Sequence, residues 1–232
     1  MKRIGVLVCD DLHEALVPQW GTYFKLFERL LDDPEDGLTT QGFRVHAGEW
    51  PAHPNDMDGW IVTGSRASVH EAADWVSALM DFVRRIDEVM LPLVGVCFGH
   101  QLIHAALGGK TARAEAGWQL GNYPVRCESP FAGLQAGDRL NLLAVHQDNV
   151  VHPASGFTRL AASANVPWYA SSRNKVFTIQ GHPEFDREFF IDLMEQVRPK
   201  AGDRLVDQAI AALPSDDHSL AVRKAIRQWL RD

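Results

Sequence analysis

The segment 93–102, "LVGVCFGHQL", decides the fold, because an apolar run passes directly into a helical pattern at Cys97. Residues 91–96 predict a buried strand. Residues 98–109 predict a helix, and the glycines at its end are typical of a helix C-terminus. A strand that turns directly into a helix is the building unit of α/β folds with a mostly parallel sheet. The segment therefore predicts an α/β fold with Cys97 at a strand-to-helix turn.

The pattern Gly-x-Cys-x-Gly suggests that Cys97 is a nucleophile. A sharp turn would hold its sulfur outside the sheet, and the first amides of the following helix would favour a thiolate and receive an oxyanion. Gly95 and Gly99 fit such a turn, because a Cβ would clash in so tight a bend. The alternative is a small core residue, since free cysteine is among the most buried residue types. Cys9 and Cys127 lack glycine flanks and are predicted to lie in the core.

The rest of the chain alternates short apolar runs with segments of helical period, which predicts helices on both faces of a mostly parallel sheet. Strands are predicted at residues 3–9, 43–47, 59–64 and 91–96, and in a strand-rich region, 110–181, whose clearest pieces are 141–146 and 174–182. Helices are predicted at residues 23–31, 74–89, 98–109, 186–197, 203–213 and 219–231. Asp74 is a candidate N-cap of its helix. We predict a main domain over residues 1–200 and a helical C-terminal extension of it over residues 201–232.

Composition narrows the function classes. The 232 residues are 46% hydrophobic and 23% charged, with a net charge of −7 and no basic block, which argues against a nucleic-acid surface. Three cysteines without a CxxC pair favour a reducing, cytoplasmic compartment. The apolar part of the N-terminal segment is too short for a secretory signal, and no run of apolar residues is long enough to span a membrane. We therefore expect a soluble protein that binds neither nucleic acid nor membrane.

A thiol nucleophile needs a base, and the base needs a group that orients it. His182 lies at the end of a predicted strand in "IQGHPEF" (179–185), where Pro183 holds it out of helical geometry. Glu184 is close enough in sequence to fix the imidazole tautomer and to stabilise an imidazolium. Since open α/β sheets place their sites at the carboxyl ends of strands, we expect His182 and Cys97 to meet there.

Taken together, these motifs resemble those of the class I glutamine amidotransferase family, in particular its GMP synthase-like glutaminase domains. "GVCFGHQ" (95–101) resembles the nucleophile motif and "GHPEF" (181–185) the His-x-Glu pair. "VTGSRASV" (62–69) resembles the glycine turn that supplies an oxyanion-hole amide, and "VHQDNV" (145–150) the segment whose backbone holds the amino-acid end of glutamine. The resemblance implies a flavodoxin-like sandwich.

The resemblance also implies roles for individual residues. Cys97 would attack the γ-glutamyl carbonyl to form a thioester, His182 would act as base and then as acid, and Glu184 would orient it. The other implied oxyanion and substrate-binding positions are Ser65 and Phe98 through their amides, Gln101 through its side chain, and Gly64, Val145, His146 and Gln147. No cofactor and no metal are implied for the glutamyl transfer. One departure is that the family's Gly-Gly-Pro turn reads Gly64-Ser65-Arg66, which puts an arginine near the substrate.

The resemblance is strongest to a stand-alone branch that includes γ-glutamyl peptidases, through "WGTYFKLFERLL" (20–31), the "TGS" turn, "ADWV" (73–76) and the phenylalanine after the cysteine. No synthetase domain is expected after the C-terminal helices. Ammonia would leave into solution or into a separate synthetase or acceptor subunit. Glutaminase activity and γ-glutamyl peptide cleavage both remain open.

Other interpretations remain. A redox or stress protein of the same broad fold would use Cys97 as a sensor and would not require His182 or Glu184. A non-catalytic binding module would leave all three residues without a chemical role. His100 and His104 are spaced for a shared metal on one helix, but no third ligand has comparable placement. Glu115 and Trp118 are expected in a turn near the site.

Overall fold

The structure is a computed structural model that describes residues 1–33 and 35–232. Its strands are β1 Lys2–Val8, β2 Leu38–Arg44, β3 Gly59–Val62, β4 Leu93–Val96, β5 Lys110–Arg113, β6 Gln119–Gly121, β7 Val125–Cys127, β8 Arg139–Leu140, β9 Ala144–His146, β10 Asp148–His152, β11 Thr158–Ala162, β12 Ala170–Arg173 and β13 Val176–Ile179. Its helices are α1 Val17–Trp20, α2 Tyr23–Leu31, α3 Asp74–Glu88, α4 Phe98–Ala106, α5 Arg187–Ala201, α6 Asp203–Ala211 and α7 Ser219–Arg231.

The main sheet has nine strands in the order β2-β1-β3-β4-β13-β12-β11-β7-β8. The first five are parallel to one another, and the other four extend the sheet in antiparallel pairs. Two small antiparallel sheets, β10–β5 and β6–β9, lie outside it. The predicted α/β class is confirmed, with an antiparallel half in addition to the parallel one.

Helices cover both faces of the sheet because β1 alternates its side chains between two cores. Ile4, Val6 and Val8 belong to the core that α2, α5, α6 and α7 cover. Leu7 belongs to the core on the other face, which α3 and α4 cover. This alternation is what a strand buried on both sides requires, since successive side chains point to opposite faces.

The C-terminal helices share the first of these cores. Val206 of α6 and Val222 and Ile226 of α7 are fully buried in the cluster that contains the β1 side chains. Arg223 of α7 donates to the carbonyl oxygen of Pro183 at 2.6 Å. The end of the chain is therefore packed against the loop that carries the candidate histidine.

Some predicted boundaries are wrong for physical reasons that the structure makes clear. The strand predicted at 43–47 ends at Arg44 because its partner β1 ends at Val8, and a 3-10 turn follows over Val45–Ala47. In the predicted strand 141–146 only β9 is extended, because the preceding residues bond to other segments, including Leu143 to the amide of His182 at 2.8 Å. The predicted cap Asp74 lies inside the first turn of α3 instead, after an N-cap alanine without a capping side chain.

The parallel half of the sheet brings three turns to one edge. β3, β4 and β13 are neighbours, and their carboxyl ends lie at Val62, Val96 and Ile179. The residues that follow these strands therefore meet at this edge, where open α/β sheets form their sites. Within the described residues, no helix is long and apolar enough to cross a bilayer.

Candidate active site

Cys97 occupies the sharp turn between β4 and α4. Its φ is 53° and its ψ −105°, a backbone conformation that non-glycine residues rarely adopt. Such strain is of order 1–3 kcal/mol and persists only where the surrounding structure enforces it. Here the Cys97 amide donates to Ile179 O at 2.9 Å, and its carbonyl accepts from Gln101 N at 3.1 Å. The side chain is buried but lines a cavity of about 410 Å³.

The two glycines beside Cys97 are required by close packing. A Cβ on Gly99 would lie 2.2 Å from the carbonyl oxygen of Val62. A Cβ on Gly95 would lie 2.6 Å from Ile103 Cδ1 and 2.7 Å from the backbone of Gly99. Any larger residue would push α4 away from the sheet and move Cys97 with it.

His182 and Glu184 form a buried pair beside this turn. His182 Nδ1 and Glu184 Oε1 are 2.7 Å apart, and the Tyr23 hydroxyl donates to the same oxygen at 3.3 Å. The ring of His182 stacks on Phe185, with centroids 4.1 Å apart and planes 3° from parallel. Its Nε2 has no hydrogen-bond partner within the part of the chain that the structure describes. The carboxylate and the stacked ring therefore fix the orientation of the imidazole.

Electrostatics favour the charged form of this imidazole. Burial by itself would lower the pKa of His182, but the nearby charges of Glu184 and Cys97 outweigh it and raise the pKa to about 10. Both Cys97 and His182 line the same cavity. An imidazolium next to a sulfur stabilises a thiolate, so the arrangement can provide a nucleophile and a proton donor together.

The turn after β3 lies on one side of Cys97. Ser65 Oγ donates to Cys9 O at 3.0 Å and accepts from Ala67 N at 3.0 Å, which holds the turn in place. No backbone acceptor among residues 1–33 and 35–232 takes the amide hydrogen of Ser65 or of Phe98. These two N–H groups are available to an oxyanion.

Arg66 does not project freely into the cavity. Its guanidinium donates to both carboxylate oxygens of Asp10, at 2.6 and 2.9 Å, and to Asp11 O at 3.1 Å. Hydrogen bonding to Asp10 raises the pKa of Arg66, although burial opposes the shift. The departure from the family's Gly-Gly-Pro turn therefore forms an ion pair at the rim.

The segment Val145–Asp148 lies on the other side of Cys97. Gln101 Nε2 donates to Asp148 O at 2.8 Å and to Gln180 Oε1 at 3.1 Å, so only its Oε1 remains for a substrate. The carboxylate of Asp148 accepts from Ser68 Oγ at 2.6 Å. It is 8% exposed, lines the cavity and has no cationic partner within the described residues.

His146 is held as a neutral imidazole. Its Nδ1 is 3.1 Å from Asp148 O and its Nε2 2.7 Å from the Tyr123 hydroxyl. Since a carbonyl only accepts, Nδ1 carries the proton and Tyr123 donates to Nε2. Burial lowers the pKa of His146 to about 3, against a smaller opposing effect of the Asp148 carbonyl. His146 is therefore a wall of the cavity without a proton to exchange near neutral pH.

Comparison with known proteins agrees with this geometry. Residues 38–190 match the family described as glutamine amidotransferase class-I. The chain belongs to the class-I glutamine amidotransferase family. The predicted family and enzyme class are thereby confirmed.

Several members of this family resemble the chain. Gamma-glutamyl peptidase 4 of Arabidopsis thaliana is 33% identical over 206 residues, which cover 84% of this chain and 81% of that protein. The glutamine-hydrolyzing subunit of the GMP synthase from Saccharolobus solfataricus is 40% identical over 102 residues, 43% of this chain and 54% of that one. The crystal structure of a glutamine amidotransferase from Thermotoga maritima has a TM-score of 0.76 at 17% identity and covers 100% of this chain and 99% of that one.

The predicted site positions of this amidotransferase fall into three groups. Those whose residues line the cavity are Ser65, Cys97, Gln101, Val145, His146, Gln147 and His182. Glu184 lies behind His182, and Gly64 stands in the turn whose added Cβ would lie 3.1 Å from His182 Cε1. The side chain of Phe98 packs on Trp75 instead, with ring centroids 5.7 Å apart, so only its backbone is available.

Other predictions about single residues divide. Trp118 lines the cavity, whereas Glu115 is exposed and does not. His104 is a core residue, since its Nδ1 accepts from Ala154 N at 3.1 Å and its Nε2 is 2.9 Å from Ser171 Oγ. Burial lowers the pKa of the neighbouring His100.

Sequence reasoning missed part of this site. The residues it did not select but that line the cavity include Asp10, Tyr23, Ser68, Arg113, Asp148 and Lys200. Only Asp148 had a local signal, because it stands inside the "VHQDNV" segment. The others come from loops and helices distant in sequence, and their convergence depends on tertiary packing.

Proposed function

We propose that this amidotransferase hydrolyses γ-glutamyl amides through a glutamyl thioester on Cys97. The proposal is carried by one observation: a strained strand-to-helix cysteine shares a cavity with a buried imidazole that is itself bound by a carboxylate. A redox sensor would have no use for the His182–Glu184 pair, whereas acyl transfer requires it.

In the first half-reaction the Cys97 thiolate attacks the γ-carbonyl carbon, and an S–C bond forms. The carbonyl oxygen becomes an oxyanion, which the Phe98 and Ser65 amides would stabilise. His182 then donates its proton to the leaving nitrogen as the C–N bond breaks. Ammonia or an amine departs and a thioester remains.

In the second half-reaction water attacks the thioester carbon. His182 accepts a proton from this water, the new C–O bond forms, and the C–S bond breaks to regenerate the thiolate. Glutamate is released. Glu184 keeps Nδ1 protonated throughout, so that Nε2 exchanges the proton in both steps.

The glutamyl end of the substrate would lie toward Val145–Asp148. A buried carboxylate without a cation is costly unless a ligand supplies the charge, so Asp148 is suited to the α-ammonium group. Gln101 Oε1 can accept a further hydrogen bond there. The direction of the substrate in the cavity follows from this end.

We favour a γ-glutamyl peptidase over a glutaminase that supplies ammonia to a partner. Support comes from the likeness to gamma-glutamyl peptidase 4 over most of both chains. The glutaminase is the second candidate, favoured by the likeness to the glutamine-hydrolyzing GMP synthase subunit, and it would require a separate synthetase chain. We place the enzyme in the cytoplasm, because its three free cysteines suit a reducing compartment.

The test has two parts. A glutamine-like electrophile should form an adduct at Cys97, located by mass spectrometry, and Cys97→Ala should prevent it. Release of ammonia from glutamine is then compared with release of amine from γ-glutamyl dipeptides. Hydrolysis that survives in Cys97→Ala or His182→Ala would exclude the mechanism, and efficient turnover of glutamine without a partner would exclude the peptidase preference.

A further inference from the structure

We propose that Lys200 forms a subsite for an anionic leaving group, so that the enzyme selects γ-glutamyl compounds whose released amine carries a carboxylate. This inference rests on the proposed function and specifies its substrate class. The chemistry that fits is a γ-glutamyl amino acid or short γ-glutamyl peptide with a free C-terminus.

The space beyond Cys97 is larger than a glutamyl group requires. The catalytic cavity of about 410 Å³ adjoins a second cavity of about 420 Å³. Pockets of about 300–1,000 Å³ hold ligands much larger than a free amino acid. The residues that line both cavities are Asp10, Ser65, Arg66, Ala67, Glu71 and Lys200. Neither Cys97 nor any residue of Val145–Asp148 lines the second cavity.

This arrangement gives the substrate a direction. The glutamyl end lies toward Val145–Asp148, and the attacked carbonyl lies at Cys97. The leaving group must then extend past Ser65 toward the second cavity. Lys200 stands at the junction of the two cavities, on the side where the leaving group passes.

Lys200 is the cation at this junction that is available to a ligand. Arg66 is already bound by both oxygens of Asp10. Lys200 has no carboxylate oxygen within 4.0 Å among residues 1–33 and 35–232. Glu71 shares the second cavity, but its Oε1 accepts the Ser68 amide hydrogen at 2.9 Å. A substrate carboxylate would therefore find in Lys200 a charge that no protein group has neutralised.

The backbone around Lys200 is held in place. It lies in the last turn of α5, and the neighbouring Arg198 donates to Glu195 at 2.7 Å and to Asp207 of α6 at 2.8 Å. Leu193 and Val197 of the same helix line the catalytic cavity. One rigid helix thus carries both an apolar wall for the substrate and the cation at its far end.

The experiment compares γ-glutamylglycine with γ-glutamylglycinamide, which differ by one negative charge on the leaving group. The quantity measured is the ratio of their kcat/KM values. Because every variant meets the same two substrates, differences in intrinsic reactivity cancel. Lys200→Gln should lower this ratio about twofold to fivefold, the range of an exposed charge pair. Lys200→Glu should lower it further, and Lys200→Arg should preserve it.

The matched control is Lys224→Gln, which removes an exposed charge of the same kind on α7 and should leave the ratio unchanged. An unchanged ratio in Lys200→Gln and Lys200→Glu, with both substrates still hydrolysed through Cys97, would overturn the subsite and leave the proposed function intact. Failure of the folded wild type to hydrolyse either substrate would overturn both.

Discussion

Gly99→Ala tests the turn on which the proposed chemistry depends. The first turn of α4 lies against the end of β3, where Gly99 N donates to Thr63 O at 3.1 Å. An added Cβ would lie 2.2 Å from Val62 O and 2.8 Å from the carbonyl carbon of Val62. Both contacts are with backbone, so no side-chain rotation can relieve them.

The size of the effect follows from these distances. Close carbon–oxygen contacts in proteins lie at about 3.3–3.6 Å, so the helix must move by about 1 Å. Overpacking of this kind lowers the free energy of unfolding by about 1–3 kcal/mol. A displacement of about 1 Å at a reacting group can reduce the rate about 100-fold. Cys97 is two residues from the clash and must move with α4, so we expect kcat/KM for γ-glutamyl hydrolysis to fall about 100-fold.

The assay pairs steady-state hydrolysis of a γ-glutamyl anilide with denaturant unfolding. Leu102→Ala is the control, because Leu102 is fully buried on the same helix but does not line the cavity. It should destabilise the protein by about 2–5 kcal/mol and leave the folded enzyme active. Gly99→Ala with kcat/KM within fivefold of wild type would refute the reasoning. An equal loss of activity in Leu102→Ala would show that the effect comes from stability alone.

Three further outcomes are expected. Tyr23→Phe removes a donor to Glu184 Oε1 and should lower kcat about tenfold at unchanged KM, the low end for a hydrogen bond to a charged group; a larger effect on KM would contradict a positioning role. Burial lowers the pKa of His104 to about 4. An unfolded histidine binds its proton near pH 6.5, so stability should fall as pH drops from 6.5 toward 4, by at most about 1.4 kcal/mol per pH unit. Denaturant midpoints at several pH values measure this slope, which should be smaller in His104→Gln, and an identical slope would contradict the assignment. Ending the chain before α7 removes Val222, Ile226 and Leu230 from the core and should prevent cooperative unfolding in circular dichroism, whereas a normal transition would show that α7 is dispensable.

Local patterns predicted the parallel half of the fold well, because its strands are buried on both faces and read as continuous apolar runs. β1, β3 and β4 match their predicted ranges to within about two residues. The antiparallel half was predicted only as strand-rich sequence. Its strands β7 and β8 span two or three residues, too few for a period to be visible.

The site divides in the same way. Cys97, His182 and Glu184 are recognisable in sequence because each stands in a short motif whose flanking glycine or proline shapes a turn. Tyr23 and Lys200 are not, because a tyrosine or a lysine in a helix carries no local signal of its neighbours. Tyr23 reaches Glu184 only because α2 packs on the edge where β13 ends.

The sequence by itself determined that a cysteine would stand on a strand-to-helix turn with a His-x-Glu pair at the end of another strand, since turn geometry and strand burial are encoded within a few residues. Tertiary structure alone decided which charges meet around that cysteine. It paired Arg66 with Asp10, left Asp148 buried without a cation among the described residues, and placed Lys200 between two cavities. Electrostatic energies depend on distances between groups far apart in the chain, and those distances exist only after folding.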